Sequence, residues 1–187
     1  MKFEEVKKNR IKMFDSPEFL QRIKDEDPRM KKYLGILKKI NMNGFITLES
    51  QAGLYQKIVN DDGDNVTYSE KSYITGFMEE SKVIKFMNYI SLSTDKICLI
   101  IHTVDNEFKI PSKYDIPLTI RTKDNISNIN THTSTIIPQR IIDMYKKEIK
   151  INKSEKIIHI LCYDPKFNRD AKNDNGLFTE ILTALKI

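Results

Sequence analysis

The chain has 187 residues, of which 40% are hydrophobic and 30% charged, and this composition is sufficient for one domain with its own core. Six glycines and six prolines are too few for a low-complexity or disordered protein. No apolar run reaches the ~20 residues of a membrane span, and the first residues lack the apolar segment of a secretory signal. We therefore expect a cytoplasmic protein that does not associate with membranes.

The positive charge of the chain is concentrated at its N-terminus. Residues 1–39 contain 12 Lys and Arg against 7 Asp and Glu, whereas the remainder contains 19 residues of each sign. A net charge of +5 is modest for a dedicated nucleic-acid binder, so we expect at most weak, non-specific contact with nucleic acid. Such contact would use four lysines that are also typical of a solvated helix face, the interpretation we favour: Lys31, Lys32, Lys38 and Lys39.

Three helices are predicted at the start of the chain. A cap at Asp15-Ser16-Pro17 separates helices over 3–13 and 17–24, because a short polar side chain can accept from the first turn and proline suits its first position. From Pro28 to Ile40, apolar residues recur every three or four positions, which predicts a helix packed against a core. Residues 1–40 are therefore interpreted as a basic helical extension.

The next segment predicts short strands joined by a turn. Phe45–Leu48, Leu54–Val59 and Tyr73–Met78 are strand candidates, since each is rich in β-branched and aromatic residues. Asp62-Gly63 lies between the last two and is typical of a tight corner. We expect the strands that follow Gly44 and surround Gly76 to pair with each other.

Two helix-then-strand units follow, over 81–92 and 97–104 and again over 141–149 and 156–163. Their strands are apolar on both faces, which predicts central parallel strands covered by helices. Between the units, Pro111 and Pro117 predict only short or edge strands, and the polar residues 122–135 predict a loop. A helix over 177–185 closes the chain. Residues 41–187 are thus interpreted as an α/β (or α+β) domain with a single mixed sheet of about five to six strands.

The two cysteines lie within apolar runs. Cys98 and Cys162 are expected to be unpaired and buried in neighbouring strands, as free thiols of a reducing compartment commonly are. The chain carries no spacing of cysteine and histidine that predicts a strong metal site, and no glycine-rich phosphate loop. No metal and no cofactor are therefore predicted.

No complete catalytic motif is present. Four residues follow strand ends, where open α/β sheets place their ligands, and are weak catalytic candidates: His102, Asp105, Cys162 and Asp164. A nucleophile, a base and an orienting group cannot be named together among them. We favour the interpretation that they are structural.

One pair of segments resembles a known family. The pattern Gly-Phe-x-Thr-x-x-Ser-Gln at Gly44–Gln51 and the pattern Tyr-x-x-Gly-Phe at Tyr73–Phe77 resemble an uncharacterised domain of bacteria and large DNA viruses. The resemblance implies an α/β domain of viral type and no particular activity, so it implies no catalytic residues. Proline often follows Ser-Gln in that family, where this chain has Ala52.

The polar residues of these two segments are the predicted binding patch: Thr47, Ser50, Gln51 and Tyr73. Short polar side chains at a strand end bind a ligand's polar edge or cap their own loop. We expect a non-enzymatic interaction module, a viral accessory or virion-associated protein of the host cytoplasm or virion, whose partner is another protein. The alternative is a small enzyme that acts on nucleotides or nucleic acid at the C-terminal edge of the sheet. The oligomeric state is left open.

Overall fold

The structure is a computed structural model that describes residues 1–59, 62–92, 97–101, 103–105, 116–123, 126–133, 136–152, 154–172 and 176–186. Within these ranges no helix combines the length and the apolar composition that a bilayer crossing requires. The helices are α1 (Phe3–Met13), α2 (Pro17–Glu26), a 3₁₀ helix (Pro28–Tyr33), α3 (Leu34–Met42), α4 (Glu80–Leu92), α5 (Gln139–Glu148) and α6 (Leu177–Ala184). The strands are β1 (Phe45–Gln51), β2 (Leu54–Val59), β3 (Asn65–Glu79), β4 (Cys98–Ile101), β5 (Thr103–Asp105), β6 (Ile116–Lys123), β7 (Ile126–Thr133), β8 (Ile136–Pro138) and β9 (Ile157–Phe167).

The sheet is built around β3, which has 15 residues and is shared by both halves of the sheet. The C-terminal half of β3 pairs with β1 on one side and β9 on the other, and its N-terminal half pairs with β2 and β6. β4 extends the sheet beyond β9, and β7 extends it beyond β6. Every described pair in this seven-stranded sheet is antiparallel, whereas β5 and β8 form a separate parallel pair.

β1 and β2 follow each other along the same side of β3. β1 pairs with Tyr73–Met78 and β2 with Asn65–Glu70, so only Ala52 and Gly53 interrupt this side of the sheet. The connection between them is therefore held at a fixed place beside the middle of β3.

Helices cover both faces of the C-terminal half of the sheet. On one face, α3, α4 and α6 bury side chains such as Leu37, Phe86 and Phe178 against β1, β3 and β9. On the other, α1 and α5 pack on Ile46 and Phe77. The mixed α/β class, the main sheet with packed helices and the helical N-terminus are thus confirmed.

The N-terminal helices share these cores with the rest of the chain. Phe3 and Val6 of α1 pack in one core, and Tyr33 and Ile40 pack in the other. Where the chain divides into folding units stays a prediction. The packing shows that removal of residues 1–40 would expose both faces of the sheet.

The parallel arrangement of the predicted central strands is wrong. β4 and β9 are neighbours, but they are antiparallel, and β4 lies at the end of the described sheet. Its residues Cys98, Leu99 and Ile100 are only half-buried, and Ile101 is exposed. A run of apolar residues does not by itself distinguish a central strand covered by helices from an apolar strand at the edge of a sheet.

Three further expectations are corrected. Residues 126–133, predicted within a loop, form β7, which pairs with β6 as a hairpin, because threonine and isoleucine suit strands despite the surrounding polar residues. β6 lies between β3 and β7 and not at an edge, and Pro117 stands near its start, where the register shifts. The third predicted helix is divided into the 3₁₀ helix and α3.

Candidate functional site

A cleft of about 930 Å³ opens on the described surface and is called here the main cleft. The 3₁₀ helix forms one wall, the β1–β2 connection forms the floor, and residues that follow β9 form the other wall. The lining residues are Asp27, Pro28, Arg29, Met30, Lys31, Lys32, Tyr33, Ala52, Gly53, Leu54, Tyr55, Asn168 and Asp170. Three segments distant in sequence thus meet at one site.

The first wall is fixed by a cap at the start of the 3₁₀ helix. The Asp27 carboxylate accepts from the backbone N–H of Arg29 at 3.1 Å and from the Arg29 guanidinium at 2.8 and 3.0 Å. Pro28 occupies the first helical position, where a missing N–H is harmless. The hydrogen bond to Asp27 raises the pKa of Arg29, which therefore remains a cation.

The floor and the second wall are joined through Ser72. The Ser72 hydroxyl accepts from the backbone N–H of Gly53 at 2.8 Å and donates to the carbonyl of Arg169 at 3.0 Å. A Cβ added at Gly53 would stand 2.2 Å from that carbonyl oxygen, so only glycine fits here. Asn168 has φ +64°, a left-handed turn that redirects the chain as β9 ends. These contacts connect the floor of the cleft directly to its second wall.

The lining of the main cleft carries three basic and two acidic side chains among the described residues. The Lys32 ammonium lies 2.9 Å from Asp170 and 4.8 Å from the ring centre of Tyr33, and the contacts with Tyr33 and Asp170 raise the pKa of Lys32. Burial acts to raise the pKa of Asp170, but hydrogen bonds from the backbone of Lys172 and from Lys32 outweigh it and lower that pKa. Both groups therefore stay charged and hold each other in place.

Two side chains at the opening are available to a ligand. Lys31 is exposed and forms no ion pair within the described part of the chain. Tyr55 is 51% exposed, with the Lys57 ammonium 6.0 Å from its ring centre. An exposed aromatic ring beside cations binds partners that carry both apolar and acidic groups.

The predicted patch lies at a second, smaller cleft of about 340 Å³ between α1, α2 and β1. Thr47, Ser50 and Tyr73 line it, and the sheet register places Gln51 directly opposite Tyr73. β1 and β3 therefore bring the two resembling segments side by side. Whether this patch binds a ligand stays a prediction.

Two members of the patch make structural hydrogen bonds. Thr47 is buried, its hydroxyl accepts from the side chain of Asn41 at 2.9 Å, and its backbone N–H donates to the same side chain at 3.1 Å. Gln51 donates from Nε2 to the carbonyl of Lys71 at 3.2 Å. Burial raises the pKa of Tyr73 to about 12, so its phenol stays neutral. Ser50 lines the small cleft and is half-buried.

The weak catalytic candidates are not gathered in an open site within the described residues. Cys162 is fully buried and burial raises the pKa of its thiol, while Asp164, also fully buried, lies 3.0 Å from Nε of Arg169. Asp105 belongs to β5 in the separate strand pair, and His102 lies outside the described residues.

The cysteines are unpaired and lie in neighbouring strands, as expected. Cys98 is directly opposite Tyr163 and Leu99 is opposite Cys162, so the two thiols lie on different faces of the sheet. Only Cys162 is buried, whereas Cys98 is partly exposed. The expectation that both are buried is therefore wrong for Cys98, because β4 lies at the end of the sheet.

The four predicted lysines do not form one patch. Lys31 and Lys32 lie at the main cleft, whereas the Lys38 ammonium pairs with Asp15 at 2.6 Å, and Lys39 is exposed on α3.

Sequence reasoning missed most of the main cleft. Arg29, Tyr55 and Asp170 come from three segments that only the fold brings together, and each resembles an ordinary surface residue in the sequence. Two local patterns did point to parts of the cleft: Asp27-Pro28 indicates a helix cap, and Ala52-Gly53 indicates a tight connection.

The comparisons with known proteins leave the resemblance without support. No protein-family model matches the chain, and a search of curated proteins finds no relative. The family suggested by Gly44–Gln51 and Tyr73–Phe77 stays an expectation.

Proposed function

We propose that this protein is a non-enzymatic interaction module that binds a segment of another protein in the main cleft. The observation that carries the proposal is the combination of the exposed Tyr55 ring and the exposed Lys31 ammonium at the opening of a cleft of about 930 Å³. The walls of this cleft are fixed by the Asp27 cap and the Ser72 bridge, and a preorganised site loses less entropy on binding.

The placement of the catalytic candidates favours binding over the enzymatic alternative. A nucleophile or base must reach a substrate, and the buried, high-pKa thiol of Cys162 is protonated and inaccessible. The Asp164 carboxylate is engaged by Arg169. On the sequence resemblance alone, we extend the proposal to an accessory or virion-associated protein that acts in the host cytoplasm.

Site-specific photo-crosslinking tests the proposal. We replace Tyr55 by benzoylphenylalanine in the full chain, irradiate it in an extract of the source cells, and use the same replacement at Ile84 as the matched control. Ile84 is also an exposed apolar residue, but it lies on α4 and does not line the main cleft. We expect one protein adduct of defined mass from position 55 and none from position 84.

A second change links the adduct to the charge of the cleft. Lys31→Glu combined with the crosslinker at position 55 should lower the yield several-fold, since rim charges chiefly affect association. Equal labelling from positions 55 and 84, or a yield unaffected by Lys31→Glu, would refute binding in the main cleft.

A further inference from the structure

β2 is an edge strand whose outer side has no strand partner among the described residues. It pairs with β3 from Leu54↔Glu70 to Val59↔Asn65, and no other described strand lies beside it. An unpaired strand edge presents a row of N–H and C=O groups to which another extended chain can be added. The start of this edge, Leu54 and Tyr55, lines the main cleft.

The outer edge of β1, by contrast, is occupied by side chains. The backbone N–H of Thr47 donates to Asn41 at 3.1 Å, and its carbonyl accepts from Nε of Arg10 at 3.0 Å. These contacts from α3 and α1 use the backbone groups that an incoming strand would need. Natural proteins protect exposed edges in this manner, and no described side chain protects β2 similarly.

The register identifies which groups of β2 face outward. The carbonyl of Glu70 accepts from Asn168 at 2.9 Å, on the side of β3 opposite β2. Because backbone groups alternate along a strand, the next residue of β3, Ser69, turns its N–H and C=O toward its partner Tyr55. Leu54, Gln56 and Ile58 therefore present their backbone groups to the outer edge.

We propose that the partner segment enters as an extended acidic peptide that adds as a strand to the outer edge of β2, an inference that rests on the proposed function. Main-chain pairing of this kind supplies affinity, and alternate side chains supply specificity. Here Lys57 projects beside the edge and Lys31 lies at its cleft end, so acidic side chains are complementary to both. The exposed Tyr55 and Val59 offer apolar contacts to the same peptide.

The charge of β2 disfavours a second copy of this chain as the occupant. Antiparallel pairing of two β2 strands centred on Lys57 would place Lys57 of one copy directly opposite Lys57 of the other, and like charges on neighbouring strands are destabilising. A lysine on an edge is a common device against such self-pairing.

A phage-display selection on the immobilised full chain tests the inference. The library displays random peptides that are long enough to pair with all six residues of β2. We expect selected peptides to be rich in Asp and Glu. Their affinity should fall about tenfold or more in Gln56→Pro, which removes an outward N–H without removing a bond to β3. The control Gln56→Thr keeps the N–H and should bind within about twofold.

Backbone methylation of the selected peptide provides a test that leaves the protein unchanged. Methylation of alternate amides in one register should abolish binding, whereas methylation in the other register should have little effect, because only every second amide faces β2. Equal effects of the two registers would overturn strand addition, even if Gln56→Pro failed to fold.

The remaining outcomes separate this inference from the proposed function. If binding is lost in Lys31→Glu but unaffected by Gln56→Pro, peptides occupy the main cleft without strand addition, and only the present inference fails. Enrichment of no acidic peptide also overturns it, while crosslinking at position 55 tests the proposed function independently. A wild-type dimer that Gln56→Pro converts to monomers would make a second copy the occupant and overturn the acidic peptide.

Discussion

Burial and hydrogen bonding shift carboxyl pKa values in opposite directions, as Asp164 and Asp27 show. Asp164 is fully buried, and burial raises its pKa despite the contact with Arg169 and the hydrogen bond from the backbone of Lys166. Asp27 is partly exposed, and the hydrogen bond from the Arg29 side chain lowers its pKa. The two residues should therefore make opposite contributions to the pH dependence of stability.

Urea unfolding of Asp164→Asn and Asp27→Asn between about pH 3 and 7 measures these contributions. Asp164 binds its proton more tightly in the folded state, so wild type should lose stability relative to Asp164→Asn as pH rises from the ordinary carboxyl pKa through the raised one. Asp27 binds its proton less tightly, so wild type should lose stability relative to Asp27→Asn as pH falls through the lowered pKa. Differences with the same sign of slope would contradict the assigned environments.

Individual residues of the predicted patch were only partly interpretable from sequence. Strand pairing between the segments that hold Gly44 and Gly76 was predictable from their composition, and it sets Gln51 opposite Tyr73. The engagement of Thr47 by Asn41 and Arg10 was not predictable, since it depends on where α1 and α3 pack against β1. When a side chain's partner comes from another helix or strand, the sequence around that side chain does not indicate the contact.

At the scale of elements, the β1–β2 connection tolerates only a glycine at position 53. In Gly53→Ala the new methyl group would collide with the carbonyl oxygen of Arg169, 2.2 Å from the ideal Cβ position. We expect the free energy of unfolding to fall by ~2 kcal/mol or more, as overpacking against backbone does. The Ser72 bridge would also be displaced, so peptide binding should weaken together with stability.

Gly35→Ala is the matched control for this change. Gly35 lies in α3, and nothing stands within 4 Å of an added Cβ. Alanine there should leave stability unchanged or raise it by ~0.5–1 kcal/mol through its better helix propensity. Denaturant midpoints of both variants check the pair, and equal effects would exclude a steric role for Gly53.

Helices were predicted more closely than strands. The observed ends of α1, α2, α4 and α6 lie within two residues of the predicted ones, and at the start of α2 Ser16 accepts from the backbone N–H of Phe19 at 3.2 Å as a cap should. The direction of β4 and the existence of β7 depend on pairing with residues far away in sequence. Local patterns predict where a strand lies and do not predict its neighbour.

For the whole molecule, ion pairs that neutralise two of the N-terminal lysines limit any binding to nucleic acid. Lys32 and Lys38 are paired with Asp170 and Asp15, so within the described residues Lys31 and Lys39 are the two of the four predicted contacts without an ion pair. Each phosphate contact contributes a slope of about −0.9 to the dependence of log affinity on log salt. We therefore expect weak binding with a slope near ~−2.

Fluorescence anisotropy of a labelled duplex, measured at several salt concentrations, tests this expectation. Lys31→Glu with Lys39→Glu should abolish the binding, and the change of two exposed residues leaves the core helices intact. Removal of residues 1–39 would not be interpretable, because Phe3 and Tyr33 belong to the cores. A steep slope that survives the double substitution would place the binding surface elsewhere.

The pairing of β3 with β9 has a consequence for the synthesis of the protein. Ile74 of β3 lies opposite Cys162, so one side of the C-terminal half of β3 stays unpaired until β9 has been synthesised. While the ribosome translates the intervening residues, apolar side chains of β1 and β3 remain without β9 and α6, which complete their core. Contacts this distant in sequence fold slowly. We expect the nascent chain to need a chaperone until its C-terminal helix has left the ribosome, and to aggregate when expressed without one.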